Sequence, residues 1–134
     1  MREIKFRAWD EKRKHYIGNW EYVINPDDGK VLEQVGYDPE YEKFSVNYNA
    51  VAEQYTGLHD KNGNEIYEGD IVNLHVVVLS PDDKVGYIEY RPKFGYCINF
   101  GKSIARQEYW ASNDKHTIEV IGNIHDNPEL LEEK

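Results

Sequence analysis

Cysteine is almost absent from this chain, in which Cys97 is the only one among 134 residues. A single thiol cannot form an internal disulfide, so the covalent support of small secreted domains is excluded. We therefore expect a reducing compartment, the cytoplasm. At this length one domain buries roughly two thirds of its unfolded surface, which needs neither a disulfide nor a metal.

Long hydrophobic runs are also missing. The longest aliphatic run is VVVL at residues 76–79, far short of the roughly 20 residues of a membrane helix. The first residues, MREIKFRAWD, alternate charged and apolar side chains and contain no apolar signal-peptide core. We expect neither export nor a membrane span.

Positive charge is scarce. The net charge is −9, and residues 1–20, with six basic and three acidic groups, contribute +3, which leaves −12 for the rest. Affinity for nucleic acid comes from Lys and Arg that displace condensed counterions, so direct binding to a phosphate backbone is disfavoured. The basic groups near the N-terminus are interpreted as the solvated face of a strand and a turn.

Catalytic and metal-binding signatures are missing as well. The sequence has no GxxxxGK[ST], no GxGxxG after a strand and no GxSxG. The histidines, at positions 15, 59, 75, 116 and 125, do not have metal-ligand spacing, and Cys97 has no CxxC partner. We predict no metal, no cofactor and no catalytic residue, with Cys97 a buried structural thiol.

Aromatic residues are abundant at 13% and include eleven Tyr, which suits a β-rich core. Alternation over Ile4, Phe6 and Ala8 predicts a strand that buries these three side chains. Strands at 16–24 and 31–37, joined by the turn NPDDGK, then predict a meander. Residues 38–52 fit a loop, an edge strand or a short helix.

Residues 55–72, YTGLHDKNGNEIYEGDIV, raise the question of whether an Asp- and Gly-rich segment is reactive or structural. We predict structural turns, with Gly57, Gly63, Gly69 and Asp70 as the turn residues and Asp70 accepting backbone hydrogen bonds. A three-residue loop at 61–63 sets Asp60 opposite Asn64 and Leu58 opposite Ile66, whereas a two-residue loop sets Leu58 opposite Tyr67.

The carboxylates of this segment suggest a second interpretation, a divalent-cation site. Asp60, Glu65, Glu68 and Asp70 can approach one another across a hairpin and bind a divalent cation through oxygen. The segment lacks the twelve-residue ligand pattern of a calcium loop. The structural interpretation is therefore favoured.

The C-terminal half reads as further strands. After a turn at 80–83, a strand at 85–91 with Ile88 and Tyr90 on one face pairs with a strand that presents Tyr96, Ile98 and Phe100. We predict a short helix from a Ser103 cap to residue 111, and a strand at 116–121. A final helix begins at an Asn127 cap followed by proline.

Three blocks, MREIKFRAWD, YTGLHDKNGNEIYEGDIV and EVIGNIHDNPELL, together resemble the YopX family of small bacteriophage and prophage proteins of unknown function. The resemblance spans the chain and implies a phage or prophage origin and the host cytoplasm. It also implies a mainly β fold with short helices, in which a single protein of residues 1–134 has an N-terminal meander over 1–52 and an SH3-like small barrel over 53–134.

The leading functional hypothesis is a non-catalytic interaction module that binds a phage or host protein. Exposed aromatic rings are its candidate contacts, namely Tyr55, Tyr67, Tyr87 and Trp110. The alternatives are an acidic decoy of a host nucleic-acid-binding protein, a direct nucleic-acid binder, and an enzyme that uses Asp70 or Glu68. A homo-oligomer is compatible with the sequence, because a β domain tends to cover its edge strands.

Overall fold

The computed structural model describes residues 3–18, 21–38, 41–76, 82–111 and 116–132, with the backbone alone at 34–38, 41–43, 76 and 82. The described residues are mostly in β-strands, with one short α-helix and one 3₁₀ helix. The predicted mainly β class is confirmed. The chain divides into two compact units. One is Lys5–Gln54, and the other combines Met1–Ile4 with Tyr55–Lys134. The sequence analysis predicted a boundary between residues 52 and 53.

The N-terminal unit, Lys5–Gln54, is built from antiparallel strands. Its strands are β1 (Phe6–Asp10), β2 (His15–Tyr16), β3 (Tyr22–Ile24), β4 (Val31–Asp38), β5 (Tyr41–Val46) and the first half of β6 (Ala50–His59). β1 pairs with β2 and β6, while β3, β4 and β5 form a three-stranded sheet in that order. The meander is therefore present. Its predicted second strand is broken into β2 and β3, and residues 38–52, left open by the sequence, contain β5.

The strand predicted from Ile4, Phe6 and Ala8 forms as β1, but of these three side chains only Ala8 is buried. Ile4 and Phe6 are 68% and 38% exposed, whereas Ala8 and Trp9 are buried on opposite faces. Trp9, on the polar side of the alternation, is buried because its ring packs edge-on against Tyr16 of β2, with ring centroids 5.0 Å apart. Both faces of the strand are thus covered at its C-terminal end.

The C-terminal unit contains most of the strands. They are the second half of β6, then β7 (Glu65–Tyr67), β8 (Asp70–Val76), β9 (Asp82–Arg91), β10 (Gly95–Asn99), β11 (Ile104–Ala105) and β12 (His116–Asn123). β8–β12 form one antiparallel sheet in the order β11-β10-β9-β8-β12. Asp82 and Asp83 belong to β9 and not to the predicted turn; residues 77–81 lie outside the described residues.

Within the segment 55–72, residues 55–67 form the hairpin of β6 and β7, and β8 begins at Asp70. The Asp60 amide donates to Asn64 O at 2.8 Å and the Gly63 amide donates to Asp60 O at 3.0 Å, which is the three-residue loop. His59 lies opposite Glu65, but Tyr55 lies opposite Tyr67, so the register shifts between them. Gly57, at φ 86°, lies in this irregular stretch.

The hairpin loop also binds the edge strand β12. The Asp60 carboxylate accepts a hydrogen bond from the Val120 amide at 2.9 Å. The Lys61 amide donates to Ile118 O at 2.9 Å. These two bonds attach the loop to an edge that would otherwise expose unpaired backbone groups.

The core of the C-terminal unit is one cluster of buried side chains, contributed by Ile66, Val72, Leu74, Ile88, Tyr96, Ile98, Ala105 and Trp110. Trp110 belongs to the only α-helix of the described residues, α1 (Gln107–Trp110). The helix predicted from Ser103 is therefore too long, because β11 occupies residues 104–105 and Arg106 is the N-cap. The sequence has no apolar stripe that would have marked this short helix.

The chain ends in a 3₁₀ helix, Pro128–Leu131. Asn127 stands at its N-cap position, as predicted, but its side chain does not cap the helix. Its Oδ1 accepts a hydrogen bond from the Asn123 amide at 3.3 Å, which holds the turn after β12. The Asn127 side chain thus stabilises the turn after β12 and does not cap the helix.

Candidate functional site

A cleft opens where β8, β9 and β11 meet the helix α1. Its volume is about 340 Å³. The floor is apolar and is formed by Leu74, Phe100 and Ala105. The remaining lining is contributed by Lys84, Ser103, Ile104, Arg106 and Tyr109. Leu74 and Ala105 also belong to the buried core, so the cleft reaches from the surface to the core.

A glycine allows the floor to form. Gly86 lies two residues after Lys84 in β9, and a Cβ there would be 2.5 Å from the backbone oxygen of Asn99. The same Cβ would be 2.9 Å from Cδ1 of Phe100. Because glycine has no side chain, the Phe100 ring lies directly on the sheet.

The helix α1 is attached to β10 by the side that lies opposite the cleft. The Trp110 indole Nε1 donates to Tyr96 O at 2.9 Å, and the Gln107 side chain accepts from the Tyr96 amide at 2.9 Å. Both bonds tie the helix to β10. Tyr109 is left 47% exposed, and its ring contacts His116 with centroids 4.5 Å apart. The helix therefore presents a half-exposed aromatic ring at the cleft.

Two cations flank the apolar floor. Lys84 Nζ lies 5.9 Å from the centroid of the Phe100 ring, and within the described ranges it has no carboxylate at ion-pair distance. The Arg106 guanidinium is 5.2 Å from the Phe94 ring centroid and 3.7 Å from a carboxylate oxygen of Glu108. Arg106 and Glu108 are both more than half exposed, so this pair is weak. The cleft is locally basic in an acidic protein.

The four aromatic residues predicted from the sequence are placed differently. Tyr55 and Trp110 are 1% and 5% exposed, so the expectation of exposed rings is wrong for these two. Tyr55 contacts Tyr67 with centroids 5.4 Å apart, and Tyr67 and Tyr87 are half-buried. The Tyr87 hydroxyl accepts from the Asn99 side chain at 3.1 Å. A binding role for any of the four stays a prediction.

Sequence reasoning missed the residues that do line the cleft. Lys84 shares a strand face with Gly86 and Ile88, and Ile88 is buried. A lysine on the apolar side of a strand pattern is the signal that could have identified it. Arg106 and Tyr109 had no such signal, because their positions depend on how α1 docks.

Two acidic residues of the segment 55–72, Asp60 and Asp70, bind backbone amides. Asp70 is 3% exposed, and its Oδ2 accepts from the Tyr67 amide at 2.7 Å. Asp60 is 6% exposed and accepts from the amides of Asn62, Asn64 and Val120 at 2.8–2.9 Å. Burial raises the pKa of Asp60, but these hydrogen bonds outweigh it and hold the pKa below the ordinary value.

The turn glycines lie around these carboxylates. Gly57, Gly63 and Gly69 have φ values of 86°, 85° and 83°. The Gly69 amide donates to Ile88 O and its carbonyl accepts from the Ile124 amide, both at 2.9 Å. Among the residues that the structure describes, no group of three or more His, Cys, Asp or Glu side chains is arranged to hold a metal ion.

Cys97 lies in β10 and is fully buried. Burial raises the pKa of its thiol and outweighs the positive charge of Arg91, which lowers it. Its Sγ lies 3.6 Å from Gly95 O. A buried thiol of raised pKa is a poor nucleophile.

The comparisons with known proteins fit this architecture. The model of the YopX protein family matches residues 5–132. The chain belongs to the YopX family. This YopX-family protein is 29% identical to protein EF1440 from Enterococcus faecalis, with a TM-score of 0.61 over 98% of this chain and 100% of that one. It is 20% identical to protein yopX from Bacillus subtilis, with a TM-score of 0.64 over 100% and 99% of the two chains.

No curated protein matches this YopX-family chain. The descriptions of the two solved structures name no activity, ligand or partner. In the described ranges, none of the helices has the length and hydropathy to span a bilayer.

Proposed function

We propose that this YopX-family protein is a non-catalytic interaction module of phage or prophage origin that binds a phage or host protein through the cleft of its C-terminal unit. The observation that carries the proposal is the cleft's combination of an apolar floor with two flanking cations. Such a site matches a protein surface that offers a large apolar side chain beside a carboxylate.

The charge of the chain favours a protein partner over a nucleic acid. Lys84 and Arg106 are the two cations of the cleft, in a chain whose net charge is −9. Each phosphate of a nucleic acid has to be neutralised by a positive group, and the surrounding carboxylates repel a long polyanion. A short acidic segment of a protein brings only one or two charges and an apolar group as well.

The carboxylates favour binding over catalysis. A general base or metal ligand needs free oxygens that face a cavity. Both oxygens of Asp60 and Oδ2 of Asp70 accept hydrogen bonds from backbone amides, and neither residue lines the cleft. These bonds support a structural role for both residues.

Quantitative pull-down from bacterial lysates tests the proposal. The baits are the wild type, the double variant Lys84→Glu/Arg106→Glu, and the matched control Lys12→Glu/Lys30→Glu. The control reverses two exposed charges in the N-terminal unit and produces the same change in net charge. Circular dichroism verifies that all three baits are folded.

We expect a protein partner that the wild type and the control capture equally and that the cleft variant captures at least tenfold less. Equal capture by all three baits contradicts the proposal. If that equally captured partner is a nucleic-acid-binding protein displaced by DNA, the acidic-decoy alternative gains support instead. Capture that a nuclease abolishes points to direct nucleic-acid binding.

A further inference from the structure

In the described part of the chain, the edge strand β11 has backbone groups beside the cleft that form no hydrogen bond. β11 is the terminal strand of the five-stranded sheet, and its residues Ile104 and Ala105 lie opposite Asn99 and Ile98 of β10. The next pair along the ladder is hydrogen-bonded, since the Phe100 amide donates to Ser103 O at 2.9 Å.

This register determines the direction of the Ile104 backbone. Antiparallel ladders alternate between hydrogen-bonded and non-hydrogen-bonded pairs. Because Phe100 with Ser103 is a bonded pair, Asn99 with Ile104 is a non-bonded pair. The N–H and C=O of Ile104 therefore point away from β10, and no bond to them is formed within the described part of the chain.

The same edge forms one wall of the cleft. Ser103, Ile104, Ala105 and Arg106 all line it. A chain that paired with Ile104 would thus run along the mouth of the cleft. Alternate side chains of a strand point to the same side, so residues two apart would both face the cleft.

We propose that an extended segment of the partner protein adds to β11 as a sixth strand and inserts a large apolar side chain and a carboxylate, two residues apart, into the cleft. This inference rests on the proposed function. The apolar side chain packs on Leu74 and Phe100, and the carboxylate lies between Lys84 and Arg106. Main-chain bonds supply affinity and the two side chains supply specificity, as in other cases of strand addition.

The volume and charge of the site fit this occupant. A cleft of about 340 Å³ is at the small end of ligand pockets and has room for a few side-chain groups. The Lys84 ammonium, which has no carboxylate partner in the described ranges, would gain one from the segment. The basic character of the site thus selects acidic over basic segments.

Selection from a random 12-residue peptide display library, with the intact protein as target, tests the inference. We expect enriched peptides in which Asp or Glu stands two residues from Leu, Ile, Phe, Tyr or Trp. The most enriched peptide is then synthesised and its affinity measured for the wild type, Ile104→Pro and Ile104→Val. Proline removes the outward-pointing N–H, which edge strands tolerate, while valine keeps it.

Ile104→Pro should weaken binding at least tenfold, and Ile104→Val should change it less than threefold. If Ile104→Pro fails to fold, a peptide that is N-methylated at one residue replaces it. In a series with one methyl group at each position in turn, binding should fall at least tenfold at the one residue whose N–H bonds the Ile104 carbonyl and change little at the residues on either side, whose N–H groups point away from β11.

Several outcomes would overturn strand addition: no enriched peptide, enrichment of basic peptides, or equal binding by Ile104→Pro and the wild type. The two proposals fail separately. If Lys84→Glu/Arg106→Glu abolishes capture of the partner and Ile104→Pro leaves capture unchanged, the proposed cleft site stands and the added strand is refuted. Capture that neither variant changes refutes the cleft.

Discussion

Replacing Asp60 by asparagine should destabilise the C-terminal unit strongly, although the two side chains have the same shape. The carboxylate has two acceptor oxygens: Oδ1 bonds the amides of Asn62 and Asn64, and Oδ2 bonds the amide of Val120. Asparagine has one acceptor oxygen and an NH₂ group that cannot accept. In either orientation of its side chain, at least one of these amides faces a donor.

The expected cost follows from these bonds. Leaving a buried amide unsatisfied costs about 1–3 kcal/mol, and the bonds that remain lose the charge that makes each worth about 1.5–3 kcal/mol. The sum for Asp60→Asn is roughly 2–4 kcal/mol, a large share of the roughly 5–15 kcal/mol that stabilises a typical protein. The bond from Val120 joins residues 60 positions apart, so its loss also weakens the attachment of the hairpin loop to β12.

Two measurements check this prediction. With a urea m-value of roughly 2 kcal/mol/M, the midpoint should fall by about 1–2 M. Hydrogen exchange should locate the effect, since the Val120 amide should exchange about 30-fold faster or more, at roughly tenfold for each 1.4 kcal/mol.

The matched control is Asp28→Asn. Asp28 is exposed and accepts one bond, from the Lys30 amide at 2.9 Å, so its replacement should cost less than about 0.5 kcal/mol. Equal midpoints for the two variants, or a Val120 amide that remains protected in Asp60→Asn, would refute the role assigned to Asp60.

Three further predictions concern the core and the cleft. Gly86→Ala should cost about 1–3 kcal/mol in urea denaturation, because its Cβ meets backbone, whereas Gly63→Ala has open space and strains only its φ of 85°, at about 1–2 kcal/mol. A Gly86→Ala variant as stable as the wild type would contradict the close approach. Trp110→Phe should cost about 1–3 kcal/mol by leaving Tyr96 O without its indole donor, and unchanged stability would contradict this bond. Cys97 should react with a thiol reagent at least tenfold slower in the native protein than in urea; equal rates would contradict its burial.

Local signals in the sequence predicted much of the β architecture. Gly63 and its neighbours predicted a hairpin loop of two or three residues, which has three, and the turn NPDDGK placed β4. These features depend on the conformations that glycine, proline and asparagine favour, which act over a few residues. The three sequence blocks identified the family, which the match over residues 5–132 confirms.

Features that depend on distant contacts were not predictable in the same way. Trp9 falls on the polar side of its alternation, yet it is buried because Tyr16 of the neighbouring strand packs against it. The cleft combines side chains from β8, β9, β11 and α1, and Tyr109 reaches it because Trp110 anchors the helix on the other side. No pattern along the chain encodes that docking.

If the acidic residues of the segment 55–72 hold the backbone and do not react, the carboxyl group of Asp60 should titrate below its ordinary range. The unfolded chain then takes up a proton at higher pH than the folded one, so the stabilisation from Asp60 is present above the unfolded pKa and is lost as the pH falls through the folded pKa. An NMR pH titration of the Asp60 carboxyl carbon measures this value directly. We predict a pKa below that of an unfolded aspartate; a pKa above it would contradict the structural role and indicate a protonatable acid of the kind that active sites use.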